Sequence, residues 1–224
     1  MIITKAKPFA EVVRSLEGEK TVFLVGCVQC ATVCKTGGEE EIKAMKDRLE
    51  QEGKTVSGWV ILDPGCSLLE AKKEFRKAKE EIGQADSLLV MSCGSGAQIA
   101  QEASGKVVHP ANNTLFLGTV ERFGHFKEYC SMCGKCILDL TGGICPATRC
   151  PKGLLNGPCG GAKDGKCEVN PDNDCVWIEI YDRLKEIGKL KEFLASSVQV
   201  HDYSVNTNPS TLVLERDKAR SYNG

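Results

Sequence analysis

Thr21-Val-Phe-Leu-Val25-Gly-Cys27-Val-Gln-Cys30-Ala-Thr-Val-Cys34 begins with a short, apolar, β-branched run and ends in three closely spaced cysteines. The run reads as a buried strand. Gly37 to Glu52 then reads as a helix: Glu39, Glu40 and Glu41 suit the positive end of its dipole, Ile42, Met45 and Leu49 share one face, and Gly53 can cap the end. The pattern repeats. Trp59-Val-Ile-Leu62 is the next strand, and Ser67-Leu-Leu-Glu70 is a capping-box pattern opening a helix towards Ile82, with Leu68, Phe75 and Ile82 available for packing. Leu88-Leu-Val-Met91 is a third strand and Ser95 to Ala103 a short helix, while Lys106-Val-Val108 and Thr114-Leu-Phe-Leu117 are expected to complete the same sheet. This alternation predicts an α/β fold over residues 1–128, with right-handed crossovers and a doubly wound, mainly parallel, Rossmann-like sheet.

In such sheets ligands collect beyond the carboxyl ends of the strands, where strand order reverses. Cys27 lies two residues past the first strand, Cys66 four past the second, and Cys93 two past the third. Cys30 and Cys34 continue the first loop. Five thiols from three loops therefore reach one pocket, and four would complete a [4Fe-4S] cubane whose negative charge suits the neighbouring helix N-termini. Cys27, Cys66 and Cys93 are the expected ligands, with Cys30 ahead of Cys34 for the fourth place. Gly94-Ser-Gly96 follows a strand and opens a helix, but it lacks the third glycine of a dinucleotide fingerprint and reads as a tight turn.

Composition changes at Tyr129. Residues 129–176 are rich in glycine and proline, show little apolar periodicity, and hold eight of the chain's 13 cysteines. Bonds from thiolate to metal are expected to supply much of their stability. Cys130-Ser-Met-Cys133-Gly-Lys-Cys136 has the C-x2-C-x2-C spacing of a bacterial ferredoxin-type loop, and Cys145 and Cys150 each precede proline, as the last ligand of that loop does. Cys159, Cys167 and Cys175 follow. Eight thiolates match two cubanes, although zinc bound by four cysteines uses the same C-x2-C spacing and stays open as a rival at one site. Residues 177–224 form a third segment. In it Trp177, Ile180, Tyr181, Leu184 and Ile187 share one face of a helix running to about Leu194, and a polar tail contains a brief strand candidate, Thr211-Leu-Val-Leu214.

An odd cysteine count, and a start, Met1-Ile-Ile-Thr4, followed at once by Lys5 and Lys7, predict reduced thiols in the cytoplasm and not a secreted disulfide framework. No apolar run approaches the roughly 18 residues of a spanning helix. A net charge of -1 offers no general attraction to nucleic acid or anionic membrane. No nucleophile elbow, P-loop or paired carboxylates are present, so no catalytic residue is assigned. His125 is close enough to Cys130 in sequence to be a ligand in principle, but reads better as a packed or surface residue; His109 and His201 carry weaker signals still.

Cys145-Pro-Ala-Thr-Arg-Cys150-Pro-Lys-Gly-Leu-Leu-Asn-Gly-Pro-Cys159-Gly-Gly161, with Gly165-Lys-Cys167-Glu-Val169 and Cys175-Val-Trp-Ile-Glu-Ile-Tyr-Asp-Arg-Leu184, resembles the cysteine-rich C-terminal family of methylenetetrahydrofolate reductases. Val25 to Gly38, Ser92-Cys93-Gly94 and Asn113 to Gly118 resemble it as well. The resemblance implies a small accessory subunit, iron-sulfur or zinc-binding, of the reductase of anaerobes that use the folate branch of acetyl-CoA synthesis. Its implied partner is a flavin-bearing catalytic subunit that reduces methylenetetrahydrofolate to methyltetrahydrofolate, with a ferredoxin or an electron-bifurcating complex as electron donor. Two functions follow as expectations. Two to three [4Fe-4S] clusters relay electrons to that flavin, or zinc sites form an adaptor that docks and stabilises the catalytic subunit without redox function. An independent thiol enzyme using Cys30 or Cys34 as nucleophile is a remote third.

Overall fold

The structure is a computed structural model that describes residues 1–196, 199–206 and 208–212. The chain divides into two compact units, Met1–Glu128 and Tyr129–Gly224. In the first, β1 (Ile2–Ala6), α1 (Phe9–Ser15), β2 (Thr21–Cys27), α2 (Cys30–Val33), α3 (Glu39–Gln51), β3 (Thr55–Leu62), α4 (Leu68–Lys77), α5 (Lys79–Gln84), β4 (Ser87–Met91), α6 (Gly94–Ser104), β5 (Val107–Pro110), β6 (Asn112–Arg122) and β7 (His125–Glu128) follow in order. Strands β3, β2, β4 and β5 form a parallel four-stranded sheet in that spatial order. The expected α/β class and parallel sheet are present.

Alternation along the two central strands separates two cores. Phe23 and Val25 of β2, with Leu88 and Val90 of β4, face Ala71, Phe75, Ile82, Ala97 and Ala100 of α4, α5 and α6. Val22 and Leu24, with Leu89 and Met91, face Val12 and Leu16 at α1 and Ile42 and Leu49 of α3. Helices thus cover both faces, and both central strands read as continuous apolar runs because neither face meets water. Strand order reverses between β2 and β4, so the switch-point crevice opens beyond Cys27 and Met91.

Thr114 to Leu117 does not join that sheet. It lies in β6, which pairs antiparallel with β1 on one side and β7 on the other in a separate three-stranded sheet. The single helix expected from Ser67 to Ile82 is two, α4 and α5, divided at Ala78. Strand β1 and helices α1 and α2 were not anticipated.

The second unit holds α7 (Pro146–Arg149), α8 (Val176–Glu186), α9 (Leu190–Ala195) and a 3-10 turn at Tyr203–Val205. Its core is small: Cys175, Val176, Trp177, Ile180 and Leu184 are buried, and Ile144, Cys150, Leu154, Ala162, Leu190 and Phe193 pack around them. The helix expected to run on to Leu194 breaks between α8 and α9, where Gly188 adopts φ 73°. Thr211 and Leu212 have no regular structure, and the rest of that strand candidate lies outside the described residues.

Gly37 offers a sharp test of how the crevice is closed. A Cβ there would run into the main-chain carbonyl of Met91 and lie 3.2 Å from the Ala31 Cβ, and backbone cannot turn aside as a flexible side chain can. Gly37→Ala should destabilise the first unit by at least about 1–3 kcal/mol, the usual range for overpacking. Denaturant midpoints measure it, and a midpoint equal to that of the unmodified chain would contradict this packing.

Candidate metal centres

Short loops bring the first thiol set to the crest of the parallel sheet. Cys27 is the last residue of β2, and the loop after it returns so that Gly37 accepts the Cys27 N–H at 3.0 Å, while Thr32 Oγ1 donates to the Cys27 carbonyl at 2.9 Å. Cys30 opens α2. Cys66 lies just before Ser67, the N-cap of α4, whose hydroxyl accepts from Glu70 N. Cys93 is itself the N-cap of α6. Asn112, 5% exposed at the start of β6, ties these loops together: its Nδ2 donates to Thr36 O at 3.1 Å and to Ser92 O at 3.3 Å.

Three of these sulfurs act on the fourth, that of Cys66. Cys66 is the most open of the set, yet partial desolvation, followed by charge on Cys93, Cys27 and Cys30, holds its thiol above the ordinary value. Cys34 closes α2, with its sulfur 3.9 Å from the Ile2 carbonyl oxygen. Four thiols held together cannot all ionise cheaply, so the set favours a cation or cationic cluster that takes up the charge.

In the second unit the eight cysteines sort into two fours. Cys130, Cys133, Cys136 and Cys145 line one cavity, which His201 also lines. Cys150, Cys159, Cys167 and Cys175 line another, together with Lys152 and Glu168. Cys145 and Cys150, each followed by proline, thus fall into different sets at either end of α7. The tail reaches the first cavity: His201 Nε2 lies 3.0 Å from the Cys133 carbonyl, Asn206 Nδ2 donates to Met132 O at 2.7 Å, and Lys135 Nζ donates to Val200 O. His201 had little to single it out in the sequence; only this return of the tail brings it near thiols. His109 instead lies 2.9 Å from Glu19 Oε1, and His125 begins β7.

Among the described residues no group of three or more His, Cys, Asp or Glu side chains is gathered closely enough for a single metal ion. A cubane asks for something else, because each of its four thiolates binds a different iron. Main-chain N–H groups point at four of the sulfurs: Ile2 to Cys30, Met132 to Cys130 and Gly161 to Cys159, each at 3.4 Å, and Gly65 to Cys27 at 3.5 Å. A thiol sulfur is a weak acceptor and a thiolate a better one, so these environments fit cysteines bound to metal as thiolates. In the last set Cys159 Sγ lies 3.6 Å from Glu168 Oε2, and the Lys152 ammonium, paired with Glu168, holds that carboxyl below its ordinary range.

The class defined by these features is a doubly wound α/β unit with four thiols at its switch point, followed by a cysteine-rich unit with two further sets of four. Residues 109–204 match the model of the family described as methylene-tetrahydrofolate reductase C terminal. That match contains β6, β7 and all eight cysteines of the second unit, and it leaves the loops carrying Cys27, Cys30, Cys34, Cys66 and Cys93 outside. No curated protein and no solved structure matches the chain. Among the described residues no helix is long and apolar enough to cross a membrane.

Proposed function

We propose that the chain is an accessory subunit of a methylenetetrahydrofolate reductase, holding three [4Fe-4S] clusters and passing single electrons to the flavin of a separate catalytic subunit. The observation that carries this reading is the sorting of the second unit's eight cysteines into two cavities of four, beside further cysteines on the loops at the crest of the parallel sheet. The family match at residues 109–204 supports the choice of reductase. Cys27, Cys30, Cys66 and Cys93 hold one cluster; Cys130, Cys133, Cys136 and Cys145 a second; Cys150, Cys159, Cys167 and Cys175 a third. Each cluster supplies a one-electron carrier. The polypeptide holds it by thiolate and directs N–H groups at its sulfurs. A ferredoxin or an electron-bifurcating complex is the class of donor that such a relay requires.

Zinc at the last set is the second reading. The Glu168 carboxylate beside Cys159 adds an oxygen donor, which zinc accepts readily. Iron, sulfide and zinc analysis of anaerobically purified protein separates the readings. About twelve irons and about twelve sulfides per chain are expected for three cubanes, and about eight of each with one zinc if the last set differs. Colourless protein with stoichiometric zinc, negligible iron and no paramagnetic signal on reduction would reject the relay in favour of the docking adaptor.

A further inference from the structure

Strand β1 is hydrogen bonded to β6 along one side only. In an antiparallel ladder alternate residues direct their N–H and C=O groups to opposite sides. Gly118 N donates to Met1 O at 2.7 Å, on the β6 side, so both main-chain groups of Ile2 point the other way. There they meet α2. Ile2 N donates to Cys30 Sγ at 3.4 Å, and Cys34 Sγ donates to Ile2 O at 3.9 Å. The two cysteines, one helical turn apart, take complementary parts: Cys30 accepts and Cys34 donates.

We infer that the Ile2 main-chain N–H sets the reduction potential of the centre held at the sheet crest through its bond to Cys30. The inference rests on the proposed cluster at Cys27, Cys30, Cys66 and Cys93. Reduction adds an electron to the cluster and makes its sulfurs more negative, so an N–H aimed at a ligand sulfur stabilises the reduced form more than the oxidised one. Removing that donor makes reduction harder. Ile2 is suited to the role because its N–H takes no part in the β1–β6 ladder, which leaves strand pairing independent of tuning.

Ile2→Pro deletes the N–H at the first residue of an edge strand, a position where proline is tolerated. Redox titration of the full chain, followed by electron paramagnetic resonance, should show iron and sulfide at the unmodified level, one cluster signal displaced to more negative potential, and the others unmoved. Ile2→Val and Cys34→Ala should titrate as the unmodified chain does and keep all its iron. A second measurement does not depend on how the proline variant folds. Unmodified chain labelled with 15N-isoleucine should show a nitrogen coupling to a reduced cluster that is missing from identically labelled Ile2→Val protein, whose residue 2 carries unlabelled nitrogen. Unshifted potentials in Ile2→Pro, loss of about four irons from Cys34→Ala, or an unchanged coupling in labelled Ile2→Val would each overturn the inference. Absence of iron from the unmodified chain would instead reject the cluster reading beneath it.

Discussion

Serine at positions 130, 133 and 136 together should remove about four irons per chain, one cubane's worth. It should also open the segment around Tyr129 to Thr148 to proteolysis and hydrogen exchange while the first unit keeps its protection. A serine hydroxyl stays protonated at neutral pH and is a far poorer ligand than a thiolate, so three substitutions empty one cavity. That cavity is lined mainly by the cysteines themselves and by exposed or half-buried neighbours such as Tyr129, Met132 and Leu138. Little apolar burial is left to hold the loop once the metal is gone. Structural metal bound by cysteine contributes roughly 10–16 kcal/mol in small domains, comparable with the roughly 5–15 kcal/mol of a whole fold. The His201 and Asn206 contacts to Cys133 and Met132 should be lost in the same variant, seen as faster exchange at the tail. An unchanged iron count, or an unchanged cleavage pattern between residues 129 and 148, would show that this loop is not folded by metal.

Trp177→Ala should cost the second unit about 3–5 kcal/mol, the usual range for removing a buried aromatic ring. Trp177 is 3% exposed, its ring centroid lies 5.9 Å from that of Phe193, and its Nε1 donates to the Leu154 carbonyl at 3.0 Å. The first unit distributes its burial over two clusters and many side chains. The second has one apolar cluster of five buried residues, and this ring is the largest of them. A loss of about 3 kcal/mol corresponds to a fall of about 12 °C or more in the thermal midpoint for a unit of this size. Trp177→Phe should recover most of that loss and fall short of the full value, because the Leu154 carbonyl loses its donor. Calorimetry resolves the units if they melt separately, and only the transition of the second should move. A fall of less than about 1 kcal/mol would contradict the central place of this residue.

The parallel sheet was legible because its central strands are buried on both faces. Thr21 to Val25 and Leu88 to Met91 are apolar runs with no competing periodicity, and the cysteines after them take their positions from strand ends. Thr114 to Leu117 is equally strand-like, and propensity does not say which sheet a strand joins. Its partner β1, Ile2 to Ala6, is short and carries Thr4 and Lys5, so burial left no continuous apolar signature. The break at Ala78 has no glycine or proline to announce it; the break before α9 did have Gly188, whose left-handed φ ends α8. Spacing pointed to the three clustered thiols at 130 to 136. Assigning Cys145 to them and Cys150 to the other set needed the fold, because only a three-dimensional turn at Pro146 separates two cysteines five residues apart.

Cys150 and Cys175 line a thiol cavity and also belong to the apolar cluster around Trp177. On the proposed assignment ligand and core are the same residues there, so loading and folding of that unit should be coupled. Under metal starvation, newly made chains would present Trp177 and its neighbours to the proteases that clear unfolded protein. The cellular level of the protein should then follow supply of that metal through turnover.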